Sequence, residues 1–220
     1  MNEYLALKFL HLLLFVYWLG GDLGTFYGSR FVVDAKLSPA ARATAARIMI
    51  GVDMAPRICM PLILPFGVQM AAMQGWLLVP GIVVVAIWLL CAGWLAMVLL
   101  VHHYSGQPFG QTIGRIDFWF RVAMIAGLVG VAIYGLATGR IVTAPWVAVK
   151  LLIFAACVVC GLVIRVKLKP FGPAFGKLMA RGPDDETNRV IADSIAGCKP
   201  LVVMIWVGLL ASAALGMHLI

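Results

Sequence analysis

Six stretches of this chain, at about 4–26, 58–76, 78–101, 119–137, 146–166 and 200–219, are apolar almost without interruption. Each has about the length, roughly 18–20 residues, that a helix needs to cross a bilayer. Lipid offers no partner to a backbone N–H or C=O, and a single spanning segment satisfies both within itself only as a helix. The sequence therefore predicts an all-α integral membrane protein, one membrane domain over 1–220 with six transmembrane helices. Little chain is left for anything else. Only 12% of the residues are charged, against about 25% in soluble domains. The Met-Asn-Glu start lacks the basic segment and small-residue cleavage site of a signal peptide, so the first span is expected to stay in the mature protein.

A net charge of +8 raises the question of nucleic acid. The distribution of the charge answers it. Fourteen of the 17 basic residues lie in or beside three alternate loops, and only Lys8, Arg140 and Lys150 lie on the other side. The positive-inside rule makes those three loops cytoplasmic and both termini non-cytoplasmic, in a cell inner membrane. The basic excess is then a topology signal, and no nucleic-acid partner is called for. The polar 171–199 stretch is expected to be a mobile cytoplasmic connection.

Two segments repeat. Asp53, Arg57 and Met60 of "DMAPRICM" recur 64 residues later as Asp117, Arg121 and Met124 of "DFWFRVAM". Gly75 and Gly139 keep that offset, and Pro80 and Pro145 open the following spans 65 apart. Helices 2–3 and 4–5 thus read as two copies of a hairpin. A two-span unit keeps its orientation on repeating, so the repeat is parallel. Each Asp-x-x-x-Arg is an i,i+4 pair at a helix start, with the arginine reaching the interface. Alternatively, Arg57 and Arg121 hold an anion, such as haem propionates or a carboxylate substrate.

The five cysteines are dispersed and odd in number, which argues against a disulfide framework. Cys157-Val-Val-Cys160 is followed by Gly161, so the covalent haem-attachment signature is absent. Thiols packed on a helix face are the simpler reading. No phosphate loop, HExxH, dinucleotide fingerprint or GxSxG elbow is present.

The chemistry lies in "KFLHLLLFVYWLGGD", residues 8–22. At 3.6 residues per turn, Lys8, His11, Trp18 and Asp22 share one stripe. Ionisable residues in a span face the bundle interior, and Gly20, Gly21 and Gly24 would let a helix or a flat ring come close. His11 lies roughly 10 Å from the helix start. At the same depth, the other spans offer Met70, Met73, Tyr134, Lys150 and His218. Met60 and Met124 lie near the opposite end. Imidazole and thioether are ordinary axial ligands of haem iron, and a bundle interior is an ordinary place for one. An interhelical hydrogen bond is the other role open to His11. Asp22 is either a proton-relay carboxylate or the partner of Arg57 or Arg121. His102-His103 reads as a helix C-terminal pair, or as a second haem or quinone pocket.

With these residues in view, "LKFLHLLLFVYWLGG" resembles the first helix of CopD-like and HemJ-like membrane proteins, and "FYGSRFVV" is similar to its end in the HemJ group. "GLATGRIVTAPWVAVKLLIF" resembles their later hairpin, with Trp146 and Lys150 at the matching Trp-x-x-x-Lys start, and "NRVIADSIAGCKPLVVMIWV" resembles the approach to their last helix. HemJ-like chains are shorter; the extra hairpin here is helices 2–3. The resemblance implies a haem-b protein with His11 as axial ligand and Lys150 in the site. In the HemJ group it implies protoporphyrinogen IX oxidation with electrons passed to the respiratory chain. In the CopD group it implies copper handling.

The reading that follows is a membrane haem-b redox protein, in one version a protoporphyrinogen-oxidase-like oxidoreductase. His11 ligates iron, with His218 or a methionine such as Met70 as second ligand. Trp18, Arg57 and Arg121 line the cofactor, and Lys150 and Asp22 serve the chemistry. Its partners are the lipid bilayer, membrane electron-transfer proteins and a second copy of itself. Two alternatives stand beside it. One is a copper or small-solute transporter, for which eleven methionines and the Met70/Met73 pair supply soft ligands. The other is a non-catalytic anchor subunit of a redox complex.

Overall fold

The computed structural model describes residues 3–219. Among them are nine helices: α1 (Glu3–Val33), α2 (Pro39–Val52), α3 (Met54–Met73), α4 (Gly81–His103), α5 (Pro108–Thr138), α6 (Pro145–Lys167), α7 (Phe171–Arg181), α8 (Asp185–Ala196) and α9 (Lys199–Gly216). Six helical stretches are long and apolar enough to cross a membrane, and this is a multi-pass helical membrane protein. The spanning helices α1, α3, α4, α5, α6 and α9 pack in chain order, and α9 returns to α1, closing a ring. Large apolar side chains such as Phe9, Leu12, Ile82, Leu89 and Ile133 point out of the ring, as a lipid-facing surface requires.

Helices and apolar blocks do not coincide. α1 runs about two turns past its apolar block, and α5 starts about three turns before its own. Hydropathy reports where lipid ends, whereas the i→i−4 hydrogen bonds continue through polar residues beyond it. The expected mobile connection at 171–199 is instead mostly two helices. α7 and α8 each carry one narrow apolar stripe on a polar sequence. Leu178 and Ile191 bury against each other with Val33 and Phe175 beside them. Buried Arg42 locks this end: its Nε donates to the Val32 carbonyl at 2.8 Å and its Nη1 to Asn188 Oδ1 at 2.7 Å, tying α2 to α1 and α8. We call this the basic end.

At the opposite end, the two hairpin turns meet. Leu77 and Val142, 65 residues apart, form an isolated antiparallel bridge. Leu78 N–H donates to the Ile141 carbonyl at 2.8 Å, and Thr143 N–H to the Trp76 carbonyl at 3.1 Å. A shift of 65 turns either bond into the other, so the bridge has the internal two-fold symmetry that a parallel repeat demands. Gly75 (φ 70°) and Gly139 (φ 64°) take the left-handed backbone at corresponding positions.

Helices α1 and α3 pack closely at Gly21. A Cβ there would collide with Cδ of Pro56. Gly21→Ala should therefore force the pair apart at a cost of about 1–3 kcal/mol. Thermal unfolding in detergent reads this directly, and Gly20→Ala, which meets nothing within 4 Å, serves as the silent control.

Asp184 caps α8. Its carboxylate accepts the Thr187 N–H at 2.8 Å and the Thr187 hydroxyl at 2.6 Å, and these bonds hold its pKa below the usual carboxylate range. A depressed folded-state value means that the cap is at full strength above the unfolded value and is lost as pH falls through the folded one. The protection factor of the first-turn amides of α8, their exchange rate set against an unfolded reference at the same pH, should therefore fall at acid pH, and in Asp184→Ala it should be low and independent of pH over that window.

Candidate functional site

The inward face of α1 repeats by threes and fours: His11, Leu14, Trp18, Gly21, Asp22 and Thr25. Trp18 is buried and meets Phe154 edge-on at 6.1 Å. Lys8, expected on this stripe, is exposed instead. His11 reaches across to α3, where Pro61 and Pro65 each remove one backbone hydrogen bond. Its ring lies beside the Ile63 carbonyl and over Gly67. A Cβ at position 67 would sit 3.2 Å from Cε1 of His11, so the glycine makes the room for the imidazole. The His11 Nδ1 is buried and has no hydrogen-bond partner.

Lys150, near the start of α6, is within electrostatic reach of His11. Its ammonium sits 5.2 Å from the centre of the Trp146 ring. Trp146 also meets Trp76 at 4.8 Å and His218 at 5.3 Å, both edge-on. His11, Lys150, Trp146 and His218 thus gather at one end of the bundle. His218 is not, however, on the last helical turn. α9 ends at Gly216, and His218 follows in an exposed turn with φ 55°. The helical phase that aimed it inward stops two residues before it. Met70 is half-buried on α3, three residues beyond Gly67, and Met73 is exposed.

Asp22 lies deeper on the stripe. Its Oδ2 is buried without a hydrogen-bond partner, with the Trp18 indole beside it and Cys157 and Asp53 within electrostatic reach. It is not the partner of Arg57 or Arg121. Each of those arginines takes the aspartate four residues before it on its own helix.

The two copies of that pair differ. Arg57 and Asp53 are partly exposed. Asp117 is fully buried and holds two cations: Arg121 Nε reaches its oxygens at 3.1 and 3.0 Å, and Arg165 Nη2 reaches it at 2.8 Å. Arg121 also donates from Nη1 to Met60 Sδ at 3.4 Å and stacks its guanidinium 5.0 Å from the Trp94 ring centre. The expected propionate ligand Arg121 is therefore committed to pinning α5 against α3, α4 and α6. His102 and His103 are exposed at the end of α4, where His103 packs on Tyr104.

Two features went unread in the sequence. One is Gly67, whose role appears only when α3 is laid against His11. The other is a sulfur-rich core in which Cys59, Met60, Cys157 and Cys160 pack with Trp18 and Trp94. The cysteines were visible as residues, but nothing local shows that α3 and α6 place them in one buried cluster, in which no three of the described His, Cys, Asp or Glu side chains converge as a metal group. No family model, curated protein or solved structure matches the chain.

Proposed function

We propose that this protein is a membrane-embedded haem-b redox protein in which His11 ligates the iron. The observation that supports this most is the unpartnered, buried Nδ1 of His11. A buried polar atom left without a bond costs about 1–3 kcal/mol, and such a group needs a reason to stay. A metal centre that accepts an imidazole lone pair supplies one. The donor set fits the group: haem iron needs no more than two protein ligands, and imidazole is an ordinary one. Bound haem supplies one-electron chemistry. His11 is held in register by Gly67. Lys150 places a positive charge near it for a propionate, and Trp18, Trp76 and Trp146 keep water out. The Asp22 carboxyl, oriented by Trp18 and with its buried Oδ2 left free, would carry a proton between that site and the basic end. In this reading the basic loops face the cytoplasm, both termini lie outside, and protoporphyrinogen-oxidase-like electron transfer to the respiratory chain is the activity that the resemblance favours. His218, on its exposed turn, is a poor second ligand, and Met70 is better placed.

The test is the visible spectrum of the detergent-purified protein from haem-replete cells, oxidised and dithionite-reduced. A Soret band with sharp reduced α and β bands is expected. A colourless, folded protein would overturn the reading.

The sulfur core favours a second reading, copper handling. Cys59, Met60, Cys157 and Cys160 are soft donors within one buried cluster. Titration with Cu(I) against a competing chelator tests it, and Cys157→Ser should abolish tight binding if these residues hold the ion.

A further inference from the structure

A cleft of about 590 Å³ opens at the basic end, where the end of α4, the start of α5 and the end of α6 come together with Arg57 of α3. Four cationic residues line it: Arg57, Arg115, Arg165 and Lys169. No acidic residue does. Two of the four are already compensated, Arg57 by Asp53 and Arg165 by Asp117. Among the described residues, Arg115 and Lys169 have no ion-pair partner. A concave site with two free cations, and no carboxylate to neutralise them, is shaped for an anion.

The rest of the lining says which kind. Phe118 and Trp119 form an apolar side of the cleft, and Trp119 is 68% exposed on the outer surface of the ring. An exposed tryptophan beside basic residues, at the point where a helix leaves the apolar zone, marks a membrane–water boundary. A small soluble anion has no use for that apolar wall. A lipid does, because its phosphate and its acyl chains leave the same glycerol in different directions. Basic pockets between spanning helices are where anionic headgroups bind. Arg115 can offer a phosphate two parallel N–H donors, and Lys169 a compact charge.

We propose that this cleft binds the phosphodiester headgroup of an anionic phospholipid, with Arg115 and Lys169 as its free cations and Phe118 and Trp119 against the upper acyl chains. The site is independent of the role assigned to His11. A bound lipid would fill the gap between α4, α5 and α6, next to the buried Asp117 cluster.

Native mass spectrometry of the full chain in detergent tests this. The protein is titrated with phosphatidylglycerol, with phosphatidylcholine, and with inorganic phosphate as competitor. Phosphatidylglycerol should be retained at least about tenfold better than phosphatidylcholine, and the double change Arg115→Gln with Lys169→Gln should remove most of that preference. Arg181→Gln with Arg189→Gln removes the same charge from α7 and α8, away from the cleft, and should leave the preference intact. Inorganic phosphate at the lipid's concentration should not displace it. Equal retention of the two lipids, equal loss in both double variants, or displacement by phosphate alone would each overturn the proposal.

Discussion

Asp117→Ala should be the most destabilising single change in the spanning region, costing about 3–5 kcal/mol. The carboxylate is wholly buried, at 0% exposure, and among the described residues it is the only anion paired with two guanidinium groups. Arg121, at 8%, is almost wholly shielded from water. Its remaining contacts, the Met60 sulfur and the Trp94 ring, do not neutralise it. Arg165, at 33%, can turn outward, so most of the cost falls on Arg121. For a chain of this size the thermal midpoint in detergent should fall by on the order of 10 °C. The repeat supplies the control. Asp53 and Arg57 occupy the equivalent positions at 26% and 47% exposure, and Asp53→Ala should cost no more than about 1 kcal/mol. Equal shifts in the two variants would sink the argument. Asp117→Asn combined with Arg121→Met should recover most of the loss, because it removes the orphaned charge as well as its partner.

The same contrast shows how one motif acquires two roles. Arg165 lies 20 residues after Pro145, and the residue 20 after Pro80 in the first copy is Leu100. With no second cation to hold, Asp53 needs only its helical neighbour, and the pair stays near the surface. In the second copy Arg165 draws Asp117 into a three-member cluster that fastens α5 to α6. Duplication supplied the pair; a single cation on another helix decided whether it became structural.

The six spans could be read from sequence because lipid imposes a length and forbids polar interruption. The repeat could be read because its aspartates, arginines and turn glycines recur at one offset. The inward aim of His11, Trp18 and Asp22 followed from helical phase alone. The rest depends on contacts between distant segments. Nothing near residue 67 says that its glycine faces an imidazole 56 positions earlier. Nothing near residue 171 shows that a polar stretch folds, because the stripe of Ala174 and Leu178 has meaning only opposite Ile191. The 200–219 apolar block carries His218, but α9 stops at Gly216, because apolarity marks depth in lipid and not where the helix ends. For Arg121 the sequence leaves both the Asp117 pair and an anion ligand open, because it shows a charge but not what has claimed it; the structure gives the guanidinium to Asp117.

If the proposed haem is bound through His11, His11→Ala should leave at least about tenfold less haem per chain while the protein stays folded. The side chain has no hydrogen bond at Nδ1 to lose, so its removal costs packing over Gly67 and the ring's contact with the Ile63 backbone, which a folded bundle can absorb. If the imidazole is the iron ligand, the variant leaves a cavity of the ligand's own shape, and free imidazole added to it should restore the Soret band in part. Packing alone gives no such rescue, since a purely structural cavity filled by imidazole would regain stability without colour. Gly67→Val sharpens the test from the other helix. It leaves His11 in the sequence but drives a branched side chain into the space the ring occupies, where even a Cβ would sit at 3.2 Å. Loss of colour in both variants, with imidazole rescuing only His11→Ala, is the pattern expected of an axial ligand seated over a glycine. A His11→Ala protein that kept the wild-type spectrum would remove His11 from the iron and leave its unpartnered nitrogen to another ligand.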